Sequence, residues 1–424
     1  MLIHPITCFS LSDLRDKNKK RSVEFGAWVR LFAGNLPIAG QFPFVWTTAG
    51  RKRGIAMQTG THPSLPCDFF GGCSALSWHT QDGKHLWGRN FDFNRLAQDT
   101  KVTFVPRGLP FYTCGTTLEH DLVGESRQVA HYAALGIGTT LLESTPALYE
   151  GVNECGLMGG QLYYRGFAHF AEQPRPDTLP LQPPFAVTYL LATCATVEQV
   201  IDTLRERVTL LARPILGMVP TLHWSFSDRT GETLVVESDA DGLHLYRDTI
   251  GVMTNSPGYP WHRQNLLNYV QVRDLDYDTL TLCGDTLPQC FSGSGALGLP
   301  GDWSSPSRFV RLAYLKKYAV PGKDEAQGVA HMLRLFGSAA FPLGMVRVSQ
   351  PGTVTPHDTD IVPYDYTIYT CVACAESQRF YWTTYDNPRI FCADLQHLLN
   401  STAVRQFDLN LCPDIQCVTQ SAKK

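Results

Sequence analysis

Cys73 follows two glycines, and an arginine and an aspartate follow it after sixteen and nineteen residues, at Arg89 and Asp92. If the Gly72–Cys73 bond is cut, one residue supplies both a nucleophilic sulfur and a free α-amine. That amine has a reference pKa of about 7.7–8.0, so it acts as a base near neutral pH without a separate histidine. A nearby guanidinium favours the thiolate, and a carboxylate orients the amine through a hydrogen bond. The spacing therefore predicts an N-terminal nucleophile.

Other interpretations of these residues compete with that one. Cys73 alone is also typical of an ordinary buried strand cysteine, and Arg89 with Asp92 is typical of a surface ion pair. A papain-like cysteine protease is a rival within enzymes, but the residues around Cys73 lack the Cys-Gly-Ser-Cys-Trp type of signature. An alternative outside enzymes is an unprocessed, non-catalytic module that keeps the leader and binds an apolar acyl ligand.

Two further residues have types and positions suited to amide chemistry. Asn255 ends a predicted strand, where its amide is placed to donate to a developing oxyanion, although Asn-Ser-Pro is also a common turn. Arg308 falls in the first turn of a predicted helix. A cation there is disfavoured by the helix dipole, which indicates an acidic partner or a functional position.

Composition excludes several classes of protein. The 424 residues carry 36 basic and 39 acidic side chains, a net charge of −3, so nothing favours nucleic-acid binding. The apolar stretch 31–46 is interrupted by Gly, Asn and Pro and is too broken to span a membrane. We therefore expect neither a nucleic-acid nor a membrane partner.

Cysteine usage bears on the compartment and on metal binding. Thirteen cysteines without a repeated spacing fit a reducing compartment, so the sequence predicts a cytoplasmic protein, with secretion left open. Cys371 and Cys374 have zinc-knuckle spacing but lie in a predicted strand, where they point to opposite faces. We expect no metal site and no organic cofactor.

The chain divides at Cys73. Residues 1–72 lack clear periodicity and predict a leader or propeptide, and an over-extended start with Met57 as the true initiator is the open alternative. Residues 73–424 form the second unit. Its predicted strands cover 73–80 with 85–89, a four-strand meander over 221–227, 232–237, 243–247 and 250–254, and 366–374 with 379–385.

Helices separate these strand groups. Thr196 and Gln199 predict a capping box for a helix over 197–207, and a second helix is expected around 186–194. Ser305-Pro306 predicts the start of another helix, and 323–336 is a further one. Paired strand groups separated by helical pairs predict an α+β fold, two antiparallel sheets stacked between helix layers in an αββα sandwich.

Together these residues resemble the choloylglycine hydrolase family, which includes bile salt hydrolases and penicillin V acylases. The similarity runs from Cys73 to about residue 390, and its five motifs, weak singly, are specific because they occur in order at compatible spacing. They are Gly88-Arg89-Asn90-Phe91-Asp92, Glu150-Gly151-Val152-Asn153-Glu154-Cys155-Gly156-Leu157, Leu222-His223-Trp224, Thr254-Asn255-Ser256-Pro257, and Gly298-Leu299-Pro300-Gly301-Asp302 with Arg308-Phe309-Val310. The family has the N-terminal-nucleophile hydrolase fold, an αββα sandwich.

The resemblance also assigns roles. It implies that Cys73 is the nucleophile exposed by autoprocessing, and that Arg89 and Asp92 orient it. Asn255 matches an oxyanion-hole donor, and Arg308 matches an arginine near the nucleophile. The implied activity is hydrolysis of linear, non-peptide amides such as conjugated bile salts or penicillin V. The leader departs from the family pattern, because members usually begin at or near the cysteine or after a signal peptide.

Tyr163 is a second departure. Bile salt hydrolases usually carry asparagine at this position and some penicillin V acylases carry tyrosine, so the substrate expectation moves away from bile salts. The backbone at Tyr163 still offers an N–H to the oxyanion. A small-molecule amide is the implied partner, and homotetramers are common in the family, so a homotetramer is expected from the resemblance alone.

Overall fold

The structure is a computed structural model that describes residues 71–115, 126–142, 144–215, 217–348 and 361–419. Residues 1–70 of the predicted leader, with Met57, lie outside the described residues. The described part forms twenty-one strands and five α-helices, numbered in chain order. None of its helices is long and apolar enough to cross a membrane.

The first sheet is antiparallel and has seven strands. Its order is β14–β1–β2–β18–β19–β20, with β17 paired to β18. The strands are β1 (Cys73–His79), β2 (His85–Phe93), β14 (Val252–Met253), β17 (Val346–Arg347), β18 (Tyr364–Cys374), β19 (Arg379–Thr384) and β20 (Phe391–Asp394). The predicted hairpin β1–β2 and the predicted pair β18–β19 are confirmed, and β18 pairs with β2 to join them.

The second sheet has eight antiparallel strands in the order β13–β12–β11–β8–β7–β6–β3–β21. They are β3 (Lys101–Val105), β6 (Ala134–Leu141), β7 (Thr145–Asn153), β8 (Met158–Tyr163), β11 (Leu222–Ser227), β12 (Thr233–Asp239), β13 (Gly242–Arg247) and β21 (Arg405–Phe407). Short pairs complete the strands: β4 (Pro110–Tyr112) with β5 (Arg127–Val129), β9 (Leu179–Leu181) with β10 (Val208–Leu210), and β15 (Leu280–Leu282) with β16 (Asp285–Leu287).

Helices cover the outer faces. Their bounds are α1 (Ala186–Thr193), α2 (Val197–Asp202), α3 (Tyr259–Asn265), α4 (Ser305–Tyr318) and α5 (Glu325–Gly337). The α4–α5 pair packs on the first sheet and α1 on the second, while β1, β2 and β18 contact β7 or β8 across the inner layer. Apolar side chains fill the space between the sheets and beneath α4 and α5, and a second cluster lies under α1 and α2. The predicted αββα sandwich is confirmed.

Local sequence signals set the helix ends. The Thr196 side chain accepts from the backbone N–H of Gln199, as the predicted cap requires, but the Gln199 side chain accepts from Ala195. The predicted helix over 197–207 is α-helical only to Asp202 and continues as a π-helical turn, Thr203–Arg207. Helix α4 begins at Ser305, as predicted.

The predicted four-strand meander is wrong in its last strand. Strands β11, β12 and β13 pair as expected, but β14 leaves them and pairs with β1 of the first sheet, with Met253 opposite Ala75. Val252 and Met253 are both buried. Because burial between the sheets outweighs local hairpin pairing, the chain crosses over, and Asn255 emerges beside the start of β1.

Candidate active site

Cys73 is the first residue of β1, a strand flanked by β14 and β2. It is only 3% exposed and lies opposite Phe91 in β2. The two preceding glycines occupy close quarters: a Cβ at Gly72 would lie 2.5 Å from the Phe341 ring, and one at Gly71 would lie 2.9 Å from the Tyr163 ring. Only glycine fits this approach to Cys73 without displacement of an aromatic ring.

Arg89 contacts the sulfur directly. It lies in β2 opposite Ala75, is 1% exposed, and donates from Nη2 to Cys73 Sγ at 2.7 Å. Its Nη1 donates to the Gln161 carbonyl oxygen at 2.5 Å and to Glu150 Oε2 at 3.1 Å. Antiparallel pairing explains the sixteen-residue spacing, because the β1–β2 turn folds Arg89 back beside Cys73.

The thiol pKa differs from the sequence expectation. Burial raises the pKa of the Cys73 thiol above its ordinary value and outweighs the lowering by Arg89 and Arg308. Arg89 therefore acts in the predicted direction, but the predicted thiolate is not favoured in this structure. A buried thiol loses hydration of its anion, and one guanidinium already shared with a carboxylate does not replace it.

Asn255 holds the backbone of Cys73. Its Oδ1 accepts from the Cys73 backbone nitrogen at 2.9 Å and from Arg308 Nη2 at 2.7 Å. These two donors determine the orientation of the carboxamide, so Nδ2 faces the Tyr163 carbonyl oxygen at 2.9 Å. Nδ2 carries a second N–H, which an oxyanion beside Cys73 can accept.

Arg308 lies in the first turn of α4 and is 2% exposed. Besides Asn255, its guanidinium donates to the Cys73 carbonyl oxygen and, at 2.7 Å, to Ser74 Oγ. Burial lowers the pKa of Arg308, while Asp92 and Cys73 raise it. The contact with the Cys73 carbonyl oxygen, rather than a direct ion pair among the described residues, therefore accounts for a cation at this unfavourable helix position.

Asp92 is fully buried in β2. Its Oδ1 accepts from the Thr367 hydroxyl, while Oδ2 has no hydrogen-bond partner. Burial raises the pKa of Asp92 to about 6, although Arg308 and Thr367 lower it. A buried carboxylate oxygen without a donor costs free energy, so Oδ2 is an acceptor that a cationic group could satisfy.

Several supporting residues have no counterpart among the sequence predictions. Thr367 bridges Asp92 and the Phe341 backbone nitrogen. Ser305 Oγ accepts from the Asn255 backbone nitrogen at 2.9 Å, and His262 Nε2 lies 2.8 Å from the Asn255 carbonyl oxygen. Their residue types carry no motif, and only the strand crossover brings Asn255 to Ser305 and His262. Glu150 is different, because it heads a quoted motif as an acidic residue inside an apolar strand.

The Cys371–Cys374 pair lies in β18, as predicted. Cys371 faces Arg89 in the register, and Cys374 contacts Glu376. Among the described residues, the side chains that lie close enough together to hold a metal ion are those of Asp239, Asp241 and His244, at the β12–β13 turn. This cluster includes neither cysteine.

Three of the five residues predicted to act with Cys73, namely Arg89, Asn255 and Arg308, hydrogen-bond to it directly. Tyr163 reaches it through Asn255, and Asp92 lies within electrostatic reach of it. Residues 73–406 match the family described as linear amide C–N hydrolases, choloylglycine hydrolase family. The chain belongs to this family. The match begins at Cys73 itself, so the family region starts where the predicted leader ends.

Members of the choloylglycine hydrolase family resemble this chain over most of its length. A bile salt hydrolase/transferase of Lactiplantibacillus plantarum is 30% identical over 77% of this chain and 93% of that protein. A penicillin V acylase of Pectobacterium atrosepticum is 25% identical over 81% of this chain and 85% of that protein. A solved mutant of conjugated bile acid hydrolase from Clostridium perfringens aligns with a TM-score of 0.71 at 27% identity, covering 82% of this chain and 99% of that one.

Membership in the choloylglycine hydrolase family settles the reaction class. The protein is a hydrolase that acts on linear amide C–N bonds. The N-terminal-nucleophile hydrolase fold predicted from the resemblance is confirmed by the solved neighbour and by the two stacked antiparallel sheets.

Proposed function

We propose that this chain is a precursor that cuts its own Gly72–Cys73 bond, and that Cys73 then serves as the N-terminal nucleophile of the amide hydrolase. One observation carries the proposal: Sγ, N and O of Cys73 are held by Arg89, Asn255 and Arg308, respectively. An ordinary buried cysteine has no need of two buried arginines. Burying those charges costs several kcal/mol each, by rough Born-type reasoning, unless they serve the site.

The first stage is self-processing. The Cys73 thiol gives up its proton and its sulfur attacks the Gly72 carbonyl carbon, so an S–C bond forms and the peptide C–N bond breaks. The departing nitrogen takes the proton and becomes the α-amine of Cys73. Water then cleaves the thioester, which releases residues 1–72 with a terminal carboxylate and restores the thiol. The Cys73 backbone nitrogen donates to Asn255 Oδ1 and the Cys73 carbonyl oxygen accepts from Arg308, so both bonds hold the Cys73 backbone in place for this step.

The second stage is turnover. The thiolate attacks the carbonyl carbon of a linear amide, and the tetrahedral oxyanion accepts from Asn255 Nδ2 and from the backbone at Tyr163. The Cys73 amine returns a proton to the leaving nitrogen, and water hydrolyses the acyl-thioester. No residue in these steps needs a metal or an organic cofactor.

Asp92 is assigned the role of accepting a hydrogen bond from the new α-amine of Cys73. Cleavage converts the amide nitrogen of Cys73, which has one N–H, into an ammonium group with three N–H donors. Asn255 Oδ1 does not accept from all three of them. Asp92 Oδ2, buried and without a donor, is a suitable acceptor, and its negative charge stabilises the ammonium. Cleavage adds a positive charge beside the thiol, and this charge lowers the thiol pKa.

The substrate class we propose is conjugated bile salts or penicillin V, as in the relatives named above. Tyr163 favours penicillin V, because its ring packs at 5.6 Å against Phe93 and lies beside Gly71, two residues before Cys73. Flat aromatic walls suit a planar aryl-acyl group. A papain-like mechanism has less support, since the described contacts of the Cys73 sulfur include no histidine.

We further infer a homotetramer in the cytoplasm. The β15–β16 hairpin extends with exposed apolar side chains at Leu280, Leu282 and Leu287, a surface suited to burial against other copies of the chain. The cysteines of the described residues are free thiols, which suits a reducing compartment. Sedimentation of the purified protein tests the assembly: a monomer would contradict it.

The decisive experiment is intact mass with N-terminal sequencing of the full-length product, beside Cys73→Ala. We expect wild-type protein to begin at Cys73 and Cys73→Ala to keep its leader, with amide hydrolysis only in the former. If the wild type retains residues before Cys73, its amine is blocked. The alternative of a non-catalytic acyl-ligand binding module then takes the place of our proposal.

A further inference from the structure

Glu150 is a buried carboxylate that the steps above do not use. It lies in β7 of the second sheet and is fully shielded from solvent. Its Oε2 lies 3.1 Å from Arg89 Nη1, and its Oε1 accepts from the Tyr369 hydroxyl at 2.8 Å. Arg89 and Tyr369 both belong to the first sheet, so Glu150 reaches across the sandwich to residues beneath Cys73.

The strands around Glu150 leave room for this reach. Gly160 lies directly opposite Glu150 in β8, and a Cβ there would lie 2.7 Å from Glu150 Cβ and 2.6 Å from the Trp87 ring. The pairing of β6 with β7 also shifts register between Ile137 and Gly138, next to this position. Glycine and an irregular register thus occur where the carboxylate must turn into the inner layer.

We propose that Glu150 is a positioning residue that aims the Arg89 guanidinium at the Cys73 sulfur. The guanidinium is planar, so once Nη1 is held by Glu150 and by the Gln161 carbonyl, Nη2 has one direction left, toward Sγ at 2.7 Å. The inference rests on the proposed function in one respect, that Cys73 is the nucleophile.

The charge and the geometry of Glu150 act on Cys73 in opposite directions. A carboxylate near a thiol opposes formation of the thiolate, whereas a correctly aimed guanidinium favours it. The groups facing Glu150 are Arg89 from β2, with Tyr369 and Cys371 from β18. Those facing Cys73 are Arg89, Asp92, Arg308 and Tyr163. Because the signs differ, the direction of the change in thiol pKa separates positioning from mere charge.

The test is Glu150→Gln in the full-length enzyme. Alkylation of Cys73 by iodoacetamide is followed across pH, with the Cys73 peptide quantified by mass spectrometry because other thiols are present. We expect the thiol pKa to rise by roughly one unit, and kcat to fall about tenfold with KM within threefold. Glu150→Asp, which keeps the charge but is shorter, should lie between. An unchanged thiol pKa overturns the proposal, because it is what a purely structural role of Glu150 predicts. A lowered thiol pKa also overturns it, because it is what a purely electrostatic role predicts.

Two further variants keep the proposal testable if Glu150→Gln does not fold or process, and show whether Glu150 acts through Arg89. Tyr369→Phe removes the donor to Glu150 Oε1 but keeps the ring and the ion pair. If Glu150→Gln does not fold or process, Tyr369→Phe decides: a smaller rise in the thiol pKa supports positioning, and no rise overturns it. In an Arg89→Gln background, Glu150→Gln should add no further change in thiol pKa, and an undiminished effect there contradicts action through Arg89.

The alkylation assay also separates this inference from the proposed function. It needs no turnover, so a wild-type protein that shows the Glu150-dependent thiol pKa but neither processes nor hydrolyses amides removes the proposed function and keeps the positioning role. A wild type that does hydrolyse amides, with a Glu150→Gln thiol pKa no higher than its own, removes the positioning role alone.

Discussion

Asn255 lies 182 residues after Cys73 in the chain, yet its Oδ1 is 2.9 Å from the Cys73 backbone nitrogen. Arg308 donates to the same oxygen, so the carboxamide cannot flip without losing two donors. The Nδ2 side is then turned toward Tyr163. In the proposed mechanism, this one asparagine therefore orients the future α-amine through its oxygen and presents an oxyanion donor through its nitrogen.

Replacement of Asn255 should remove both roles. We expect Asn255→Ala and Asn255→Asp each to lower kcat by roughly 10²–10³-fold, as loss of one oxyanion donor typically does, with a smaller change in KM. Asn255→Asp also sets a carboxylate oxygen against the Tyr163 carbonyl. Steady-state kinetics on a linear amide measure this, with exposed Asn268→Ala as the matched control. Full activity of Asn255→Asp would contradict the oxyanion role.

The rate of self-processing should depend on the space at Gly72. Because a Cβ there would lie 2.5 Å from the Phe341 ring, Gly72→Ala should displace the scissile carbonyl and slow processing. Phe341→Leu added to Gly72→Ala opens that space and should restore part of the rate. The fraction of leader-free protein over time, by mass spectrometry, gives the rates. The Phe341 ring also lies 5.1 Å from the Arg308 guanidinium, so Phe341→Leu alone is measured as a control for loss of that contact. Normal processing of Gly72→Ala would refute the constraint.

Asp365 should make the uncleaved protein less stable as pH rises. Burial raises the pKa of Asp365 to about 7, with a contribution from Asp92, and its Oδ1 has no hydrogen-bond partner. A raised folded pKa means that the folded state binds the proton more tightly, so this stability is complete below about pH 4 and is lost as pH rises toward 7.

The neutral isostere isolates that effect. We expect Asp365→Asn, made in the Cys73→Ala chain, to raise the free energy of unfolding at pH 7.5 by on the order of 2 kcal/mol and to change it little at pH 4. Urea denaturation of both chains at the two pH values measures the difference. Equal effects at pH 4 and pH 7.5 would show that the Asp365 carboxyl does not titrate with a raised pKa.

Tyr163 should bias the enzyme against bile salts. Its ring lies beside Gly71, two residues before Cys73, and asparagine is usual at this position in the bile salt hydrolases that the chain resembles. We expect the wild type to prefer penicillin V and Tyr163→Asn to raise the ratio of kcat/KM for a conjugated bile salt over that for penicillin V. A wild-type preference for bile salts of more than about tenfold, or 1.4 kcal/mol in transition-state binding, would contradict this assignment.

Much of the fold was predictable because its signals are local. The β1–β2 turn, the β18–β19 pair and the start of α4 rest on residues within a few positions of each other, and all three predictions are confirmed. The fourth strand of the meander was not predictable. Its alternation fits pairing with β13 equally well, and only burial of Val252 and Met253 between the sheets decides for β1.

The chemistry at Cys73 divides in the same way. The sequence alone determined which residue types are present, the sixteen-residue return from Cys73 to Arg89 across one hairpin, and the family to which they belong. Only the tertiary structure decided that Asn255 and Arg308 meet at the Cys73 backbone and that Glu150 reaches Arg89 from the other sheet. Local pairing follows from neighbours in the chain, whereas contacts between sheets depend on how two whole apolar faces stack, and no short sequence pattern encodes that.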